Sequence, residues 1–174
     1  MSITKNFNLL VSTSRYNKTN AMSELWFTLL MCDDSYPIIS RIQFPGLISA
    51  FTNINQKEVI SKIKTIQDKN PDYFQFILKI VPIDFICETK IKTIEKIIEQ
   101  NYKNYIDEKE SFKITLKRRH HQKIERENFI EIIANLINNS VDLEDPDKNI
   151  RFEVLGNITG ISFLKKNEII TIKK

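Results

Sequence analysis

The segment SFKITLKRR, residues 111–119, is the most informative stretch of this sequence for the fold. Apolar and polar side chains alternate along it, which is the two-residue period of a strand with one buried face. The apolar members are Phe112, Ile114 and Leu116. The same period places Lys113, Lys117 and Arg119 together on the outward face. We therefore predict a half-buried strand whose outer face is basic.

Positive charge is concentrated at the end of this strand and just beyond it. Between residues 113 and 126, six basic side chains stand against Glu125 alone, and this excess of five is larger than the net charge of +4 of the whole chain. The six are Lys113, Lys117, Arg118, Arg119, Lys123 and Arg126. Such a cluster attracts polyanions, although a charge run is also typical of a solvated strand end. Charge alone leaves both interpretations open.

The residues on either side of the basic strand complete a small α/β unit. Apolar residues at helical spacing predict a helix over 91–106 before the strand and another over 129–137 after it. Asp145-Pro146-Asp147 predicts a turn. Two apolar runs, 150–155 and 158–164, flank Gly156-Asn157, which predicts a hairpin.

The first half of the chain alternates predicted strands and helices. Residues 7–13 predict a strand, and residues 21–31 a helix whose apolar stripe, Trp26 included, is expected in the core. Residues 37–52 predict either one long strand or a bent pair around Pro45-Gly46. Asn55 with Glu58 resembles a capping box that opens a helix ending near residue 70. With an extended segment over 74–88, this order is most of a ferredoxin-like split βαβ unit.

The composition argues against several classes of protein. Gly46, Gly156 and Gly160 form no glycine-rich loop of the kind that cradles phosphates. Cys32 and Cys87 lie far apart among apolar residues, so we expect free buried thiols in a reducing compartment. Polar residues interrupt every apolar run before it reaches the length of a signal or membrane segment. We expect a soluble cytoplasmic protein with no catalytic residues, no metal, no cofactor and no small-molecule substrate.

The two histidines of the chain, His120 and His121, are adjacent and lie inside the basic cluster. On an extended backbone, neighbouring side chains point to opposite sides and cannot chelate one metal ion. No cysteine stands near enough in sequence to complete a zinc site. The pair is either part of a polar loop or a contact that stacks on RNA or forms hydrogen bonds with it.

The second half of the chain resembles a THUMP domain. The resemblance lies in the basic strand 111–119, the helix predicted after it, and the phrase VDLEDPD at 141–147 before the strand at 150. The first half resembles the ferredoxin-like domain that accompanies THUMP. Its segments NLLVSTSR at 8–15 and SELW at 23–26 are similar to the stand-alone archaeal members, which are relatives of the yeast adaptor required for tRNA cytidine acetylation.

This resemblance implies an α+β fold, with a ferredoxin-like N-terminal domain at 1–88 and an α/β THUMP domain at 89–174. It also implies binding of the acceptor stem and CCA end of tRNA. Since only residues 169–174 follow the predicted THUMP strands, we expect an adaptor rather than an enzyme. Its partner would be a separate tRNA acetyltransferase. The RNA-binding residues expected in the basic cluster are Lys113, Lys117, Arg118, Arg119, His120, His121 and Lys123, and those in the first loop are Arg15, Tyr16 and Lys18.

One departure from the family concerns the start of the helix after the basic loop. Relatives often have a small or capping residue there, whereas this chain has Lys123-Ile124-Glu125. The departure argues against anchoring of RNA by the backbone amides of that helix.

Two other functions stay open at this stage. The chain could be the RNA-binding part of a tRNA-modifying enzyme, of the thiouridine synthase or methyltransferase type, whose catalytic domain is elsewhere. It could also be a protein-binding ferredoxin-like module whose basic patch meets an acidic partner.

Overall fold

The computed structural model describes residues 6–120 and 123–173, which divide into two compact units. The first unit comprises the chain up to Ile83 and again from Asn167 onward, and the second runs from Asp84 to Lys166. The predicted boundary, after residue 88, lies five residues later than the one between Ile83 and Asp84. The prediction also placed residues 167–174 in the second unit, whereas they belong to the first. The chain changes sheets at one peptide bond, because the Ile83 amide donates to the Asn8 carbonyl and the Asp84 amide to the Ile161 carbonyl.

The first unit is a five-stranded antiparallel sheet with two helices. In chain order its elements are β1 (Leu9–Thr13), α1 (Lys18–Met31), β2 (Ile38–Arg41), β3 (Leu47–Phe51), α2 (Gln56–Lys69) and β4 (Ile77–Pro82), and the later strand β9 (Ile170–Thr171) joins them. The strand order is β2-β3-β1-β4-β9. The elements up to β4 therefore follow the order of a β-α-β-β-α-β unit.

Local sequence signals explain where several of these elements begin. The Asn55 side chain accepts hydrogen bonds from the amides of Lys57 and Glu58, which caps the start of α2 as predicted. Of the two alternatives for residues 37–52, the structure has the pair of strands. Gly46 makes the turn between them at φ +68°, and a Cβ atom there would lie 2.9 Å from the Thr13 carbonyl oxygen. Only glycine fits this position without strain.

Helix α1 differs from the prediction in its start and in its exposed face. It begins at Lys18, three residues before the predicted start, so Lys18 is a helical residue and not a loop residue. The prediction that Trp26 belongs to the core is wrong, since its side chain is 45% exposed and that of Phe27 is 61% exposed. The buried stripe consists of Ala21, Leu25, Thr28 and Leu29.

The second unit is a four-stranded sheet with two helices. Its elements are β5 (Phe85–Glu88), α3 (Ile91–Asn101) followed by a 3-10 turn (Tyr102–Asn104), β6 (Phe112–Arg119), α4 (Arg126–Asn135), β7 (Lys148–Leu155) and β8 (Ile158–Lys165). The strand order is β5-β8-β7-β6, with β6 parallel to β7 and the other pairs antiparallel. The predicted hairpin at Gly156-Asn157 joins β7 to β8. The predicted extended segment 74–88 is instead two strands, β4 and β5, in different sheets.

Each unit has its own apolar core. In the second unit, Phe112 and Leu116 of β6 pack with α3, α4 and the apolar face of β7 and β8. The rings of Phe129 on α4 and Phe152 on β7 meet edge to face, with centroids 4.9 Å apart. The predicted α+β class is confirmed, with two sheets and four α-helices in the part of the chain that the structure describes.

Candidate nucleic-acid interface

Strand β6 is an edge strand and carries the basic residues at its exposed end. Its apolar residues Phe112 and Leu116 are buried, Lys113 is half-buried, and Lys117, Arg118 and Arg119 are exposed. The strand is therefore anchored at its beginning and increasingly exposed toward its end. Lys113, Lys117 and Arg119 lie at alternate positions and share one face of the sheet, as predicted.

The neighbouring strand β7 has a buried ion pair on the same face. Glu153 is the register partner of Lys117, and Arg151 is that of Thr115. The Arg151 Nε donates to Glu153 Oε1 at 2.7 Å, and both side chains are buried. Because Arg151 neutralises the charge of Glu153, this face of the sheet keeps the positive charge of Lys113, Lys117 and Arg119. The alternation of Ile150, Phe152 and Val154 with Arg151 and Glu153 could have indicated this pair from the sequence, but not that it lies beside β6.

Arg118 points to the other face of β6 and is held by the loop before α4. Its guanidinium Nη1 donates to the carbonyl of Ile124, a buried residue. One of its five N–H donors is thus engaged within the protein, and the others form no hydrogen bond with the residues that the structure describes. Arg118 and Arg119 were both expected to bind RNA, and the structure shows that only Arg118 forms a hydrogen bond with the loop before α4.

The loop after β6 turns sharply at His120. His120 is exposed, and its φ is +53°. This is the left-handed backbone conformation, which residues other than glycine rarely adopt. Lys123 is also exposed. The predicted contact residue His121 lies outside the described residues. Arg119, His120 and Lys123 thus form the exposed rim at the end of β6.

The N-terminus of α4, next to this rim, already holds a negative charge. Glu125 is the N-cap, and its carboxylate accepts hydrogen bonds from the amides of Glu127 at 2.9 Å and Asn128 at 2.7 Å. These two hydrogen bonds, with Arg118 nearby, hold the pKa of Glu125 below its usual value. The carboxylate occupies two amides that could otherwise bind a phosphate. This agrees with the expectation from Lys123-Ile124-Glu125 that the backbone amides of this helix do not anchor RNA.

The phrase at 141–147 fixes the beginning of β6. Val141 extends the sheet by a parallel bridge to Phe112. The Asp147 carboxylate accepts from the Ser111 amide at 2.8 Å and from its hydroxyl at 3.1 Å, and these bonds lower the pKa of Asp147. Asp142 accepts from two amides of the following turn, those of residues 144 and 145. The phrase therefore has a structural role, since it positions the strand that carries the basic side chains.

The candidate residues of the first loop lie in the other unit. Arg15 and Tyr16 are exposed, and the Tyr16 side chain is 91% exposed. Lys18 donates to the Ile42 carbonyl at 2.6 Å, and desolvation together with nearby Arg41 lowers its pKa. Arg41 therefore joins this group of cations. Its position was not expected from the sequence, because more than twenty residues separate it from Lys18.

Among the described residues, no cluster of three or more His, Cys, Asp or Glu side chains could hold a metal ion. Cys32 and Cys87 are free, as expected; Cys32 is buried and Cys87 half-buried. Burial raises the pKa of each thiol to about 11. No helix in residues 6–120 and 123–173 is both long and apolar enough to cross a bilayer.

Comparison with known proteins identifies the second unit. The family model of the THUMP domain matches residues 88–164. A Drosophila melanogaster protein, "THUMP domain-containing protein 1 homolog", is 30% identical over 105 residues, which cover 57% of this chain and 32% of that protein. This chain thus matches about a third of the length of that relative. Residues 88–164 are a THUMP domain, and THUMP domains are RNA-binding modules linked to tRNA-modification enzymes.

Solved structures share the fold over nearly the whole chain. The Pyrococcus horikoshii protein PH1313 has a TM-score of 0.67 at 18% identity, covering 92% of this chain and 55% of its own. A 4-thiouridine synthetase, solved as a complex with RNA and with bound ATP, has a TM-score of 0.58 at 13% identity, covering 95% of this chain and 42% of its own. At these identities, the likeness concerns the fold.

Proposed function

We propose that this chain is a tRNA-binding adaptor without a catalytic centre of its own. It presents the acceptor stem and CCA end of tRNA to a separate modification enzyme, a tRNA cytidine acetyltransferase. The observation that carries the RNA-binding part is the basic edge strand β6 within the THUMP domain. The resemblance of residues 8–15 and 23–26 to the stand-alone members supports the adaptor part.

The exposed end of β6 suits an RNA backbone better than a base-specific contact. Lys113 and Lys117 lie about 13 Å apart along an extended strand, since the rise is roughly 3.3 Å per residue. Arg119 continues the row to the last position of the strand, and Lys123 follows in the loop beyond it. Cations in such a row neutralise successive phosphates and read shape rather than sequence. This chemistry suits a protein that serves more than one tRNA.

The cap of α4 limits how RNA binds at this site. Because the Glu125 carboxylate already accepts from the amides of Glu127 and Asn128 in the first turn of α4, a phosphate binds these two amides only if it displaces the carboxylate. The affinity must therefore come from the side chains of β6 and its loop. This predicts strong dependence on salt and on the individual cations.

A gel-shift titration with total tRNA at two salt concentrations tests the RNA-binding part. If Lys113, Lys117, Arg119 and Lys123 each neutralise one phosphate, the affinity should fall about 80-fold between roughly 50 and 200 mM salt, taking about 0.8 ion released per contact. Binding that ignores salt, or equal binding to an unrelated acidic protein, would contradict it. The second outcome would favour the protein-binding module.

A reconstitution assay tests the adaptor part. The chain is mixed with tRNA and a tRNA cytidine acetyltransferase, and acetylcytidine is measured with and without it. Modification at the same rate in both reactions would overturn the adaptor role and leave RNA binding intact. A parallel titration with tRNA that lacks its CCA end should show weaker binding, since the proposal places that end on this domain.

A second candidate is the RNA-binding part of an enzyme whose catalytic domain is elsewhere. The observation that favours it is the length of the neighbours, because this chain covers 42% of the 4-thiouridine synthetase and 55% of the Pyrococcus protein. Fusion of the chain to a catalytic partner would then raise activity, whereas an adaptor works in trans. The reconstitution assay, which supplies the enzyme as a separate chain, distinguishes the two.

A further inference from the structure

The first unit has an apolar groove between helix α1 and the edge strand β2. Met22, Trp26 and Phe27 line it from the helix, and Pro37, Ile38 and Ile39 from the strand. Phe27 and Ile38 are both more than half exposed, and the rings of Trp26 and Phe27 lie 6.1 Å apart. Large apolar side chains grouped in this way on a surface mark an interaction site.

Strand β2 offers a backbone edge along this groove. It is the first strand in the order β2-β3-β1-β4-β9, and in the described part of the chain β3 is its only partner. The outer N–H and C=O groups of Ile38–Arg41 can therefore pair with an added strand. An extended peptide that binds a sheet edge beside a helix gains affinity from its main chain and specificity from alternate side chains.

The register of β2 tells which peptide side chains enter the groove. Ile39 pairs with Ala50 and Arg41 with Ile48, and both partners belong to the core beneath the helices. Ile39 and Arg41 therefore lie on the helix side of β2. On an added strand, the residues opposite them are two positions apart and point to that same side.

The charge at one end of the groove selects for an acidic residue. Arg41 is exposed and donates to the Thr19 hydroxyl at 2.6 Å, which leaves most of its N–H donors available. Lys18 lies close enough to Arg41 for the two cations to repel each other. The first turn of α1 has no acidic residue to balance them. A carboxylate placed between these cations would relieve the repulsion.

The size of the exposed patch fits a peptide better than a second folded domain. The large exposed apolar side chains that line the groove are Trp26, Phe27 and Ile38, and their exposed parts amount to roughly 300 Å², taking about 200 Å² for each side chain. A standard interface between two folded proteins buries about 800 Å² on each partner.

We propose that the groove between α1 and β2 binds an extended segment of a partner protein, which adds as a strand to β2. The segment has an apolar residue that enters the groove beside Trp26 and Phe27, and an acidic residue two positions away that meets Arg41. This surface lies in the first unit, and Lys18, which the sequence offered as an RNA contact, is here assigned with Arg41 to the acidic residue of that segment.

Peptide selection tests the proposal. A phage-displayed library of random eight-residue peptides is selected on the wild-type chain, with the Phe27→Asp variant for counter-selection. The enriched peptides should share an apolar and an acidic residue two positions apart. Phe27 is exposed, so its replacement should leave the melting temperature and tRNA affinity unchanged, and the counter-selecting protein stays folded. No enrichment over the variant, or enrichment without this spacing, overturns the proposal.

Titration of a synthetic enriched peptide gives the second measurement. Trp26 is the single tryptophan of the chain, so its fluorescence should shift to the blue as the groove is covered. Arg41→Glu should lower the affinity for the acidic peptide about fivefold. A peptide with lysine in place of its acidic residue should bind that variant as the acidic peptide binds the wild-type chain. Lys64→Glu, a matched change on α2, should have no effect. N-methylation of the peptide backbone should abolish binding.

Sedimentation of the chain alone distinguishes a second copy from a peptide. A monomer at micromolar concentration agrees with the proposal. A dimer that Phe27→Asp dissociates would mean that the groove is covered by another copy of the chain, which overturns it.

Discussion

Replacement of Arg119 tests whether β6 itself holds the RNA backbone. Arg119 is exposed on the outward face, at the last position of the strand. Its side chain has no hydrogen bond or ion pair with any residue in 6–120 or 123–173. Arg119→Ala should therefore leave the free energy of unfolding nearly unchanged, and any loss of tRNA affinity can be assigned to binding.

The expected size of the loss follows from counterion release. One phosphate contact releases about 0.8 ion, so at roughly 0.1 M salt its removal weakens binding about sixfold. Arg119→Glu adds repulsion of the same order, which gives a loss of roughly 10- to 40-fold. The slope of log affinity against log salt should become shallower by about 1 for either variant.

The assay is a gel-shift titration of tRNA at three salt concentrations, with Lys92→Glu as the matched control. Lys92 is an exposed residue of the same unit, in the first turn of α3 and outside the basic cluster. Equal losses for Arg119→Glu and Lys92→Glu would mean that diffuse charge does the binding. An unchanged salt slope in the Arg119 variants would refute a phosphate contact at this residue.

Four further substitutions, at three positions, test the surroundings of the site. Arg118→Ala removes the hydrogen bond to the Ile124 carbonyl, so it should lower the unfolding free energy by about 1 kcal/mol in denaturant titrations, where Arg119→Ala has almost no effect. Glu125→Ser keeps a cap on α4 but removes a negative charge beside the basic rim, so tRNA should bind more tightly in gel shifts; unchanged affinity would contradict this. Because the folded-state pKa of Glu125 is lowered, its stabilising effect is present above about pH 4.5 and lost as the pH falls further, and Glu125→Gln should narrow the difference between melting curves at pH 7 and pH 3. Phe129→Ala leaves a cavity against Phe152 and should cost about 3–5 kcal/mol, measured by chemical denaturation, against less than about 0.5 for exposed Leu143→Ala.

Periodicity in the sequence predicted the strands and helices where one face is buried. In β6 the alternation of apolar and polar residues identified both the strand and its outward cations, because a period of two is that of a strand with one buried face. The same reasoning was wrong for Trp26. A helical stripe gives the direction of the apolar face but not its width, and α1 has more apolar residues than its core contact can cover.

Long-range pairing could not be predicted from local pattern. The continuous apolar run over 74–88 gave no sign that the chain leaves one sheet at Ile83 and enters another at Asp84. Likewise, the alternation places Arg118 and Arg119 on opposite faces of the strand, but only the position of the Ile124 carbonyl shows that Arg118 is held within the protein. Contacts of this kind depend on the loop path, which composition does not encode.

The pairing of β9 with β4 has a consequence for the order in which the chain folds during synthesis. All strands of the second unit precede Ile170 and Thr171 in the chain, so its sheet needs no residue that is synthesised after β8, whereas the first sheet is complete only when β9 is added. The N-terminal unit is thus made first but completed last. A chain truncated before residue 170 would keep every strand of the second unit and would leave the β4 edge of the first sheet unpaired.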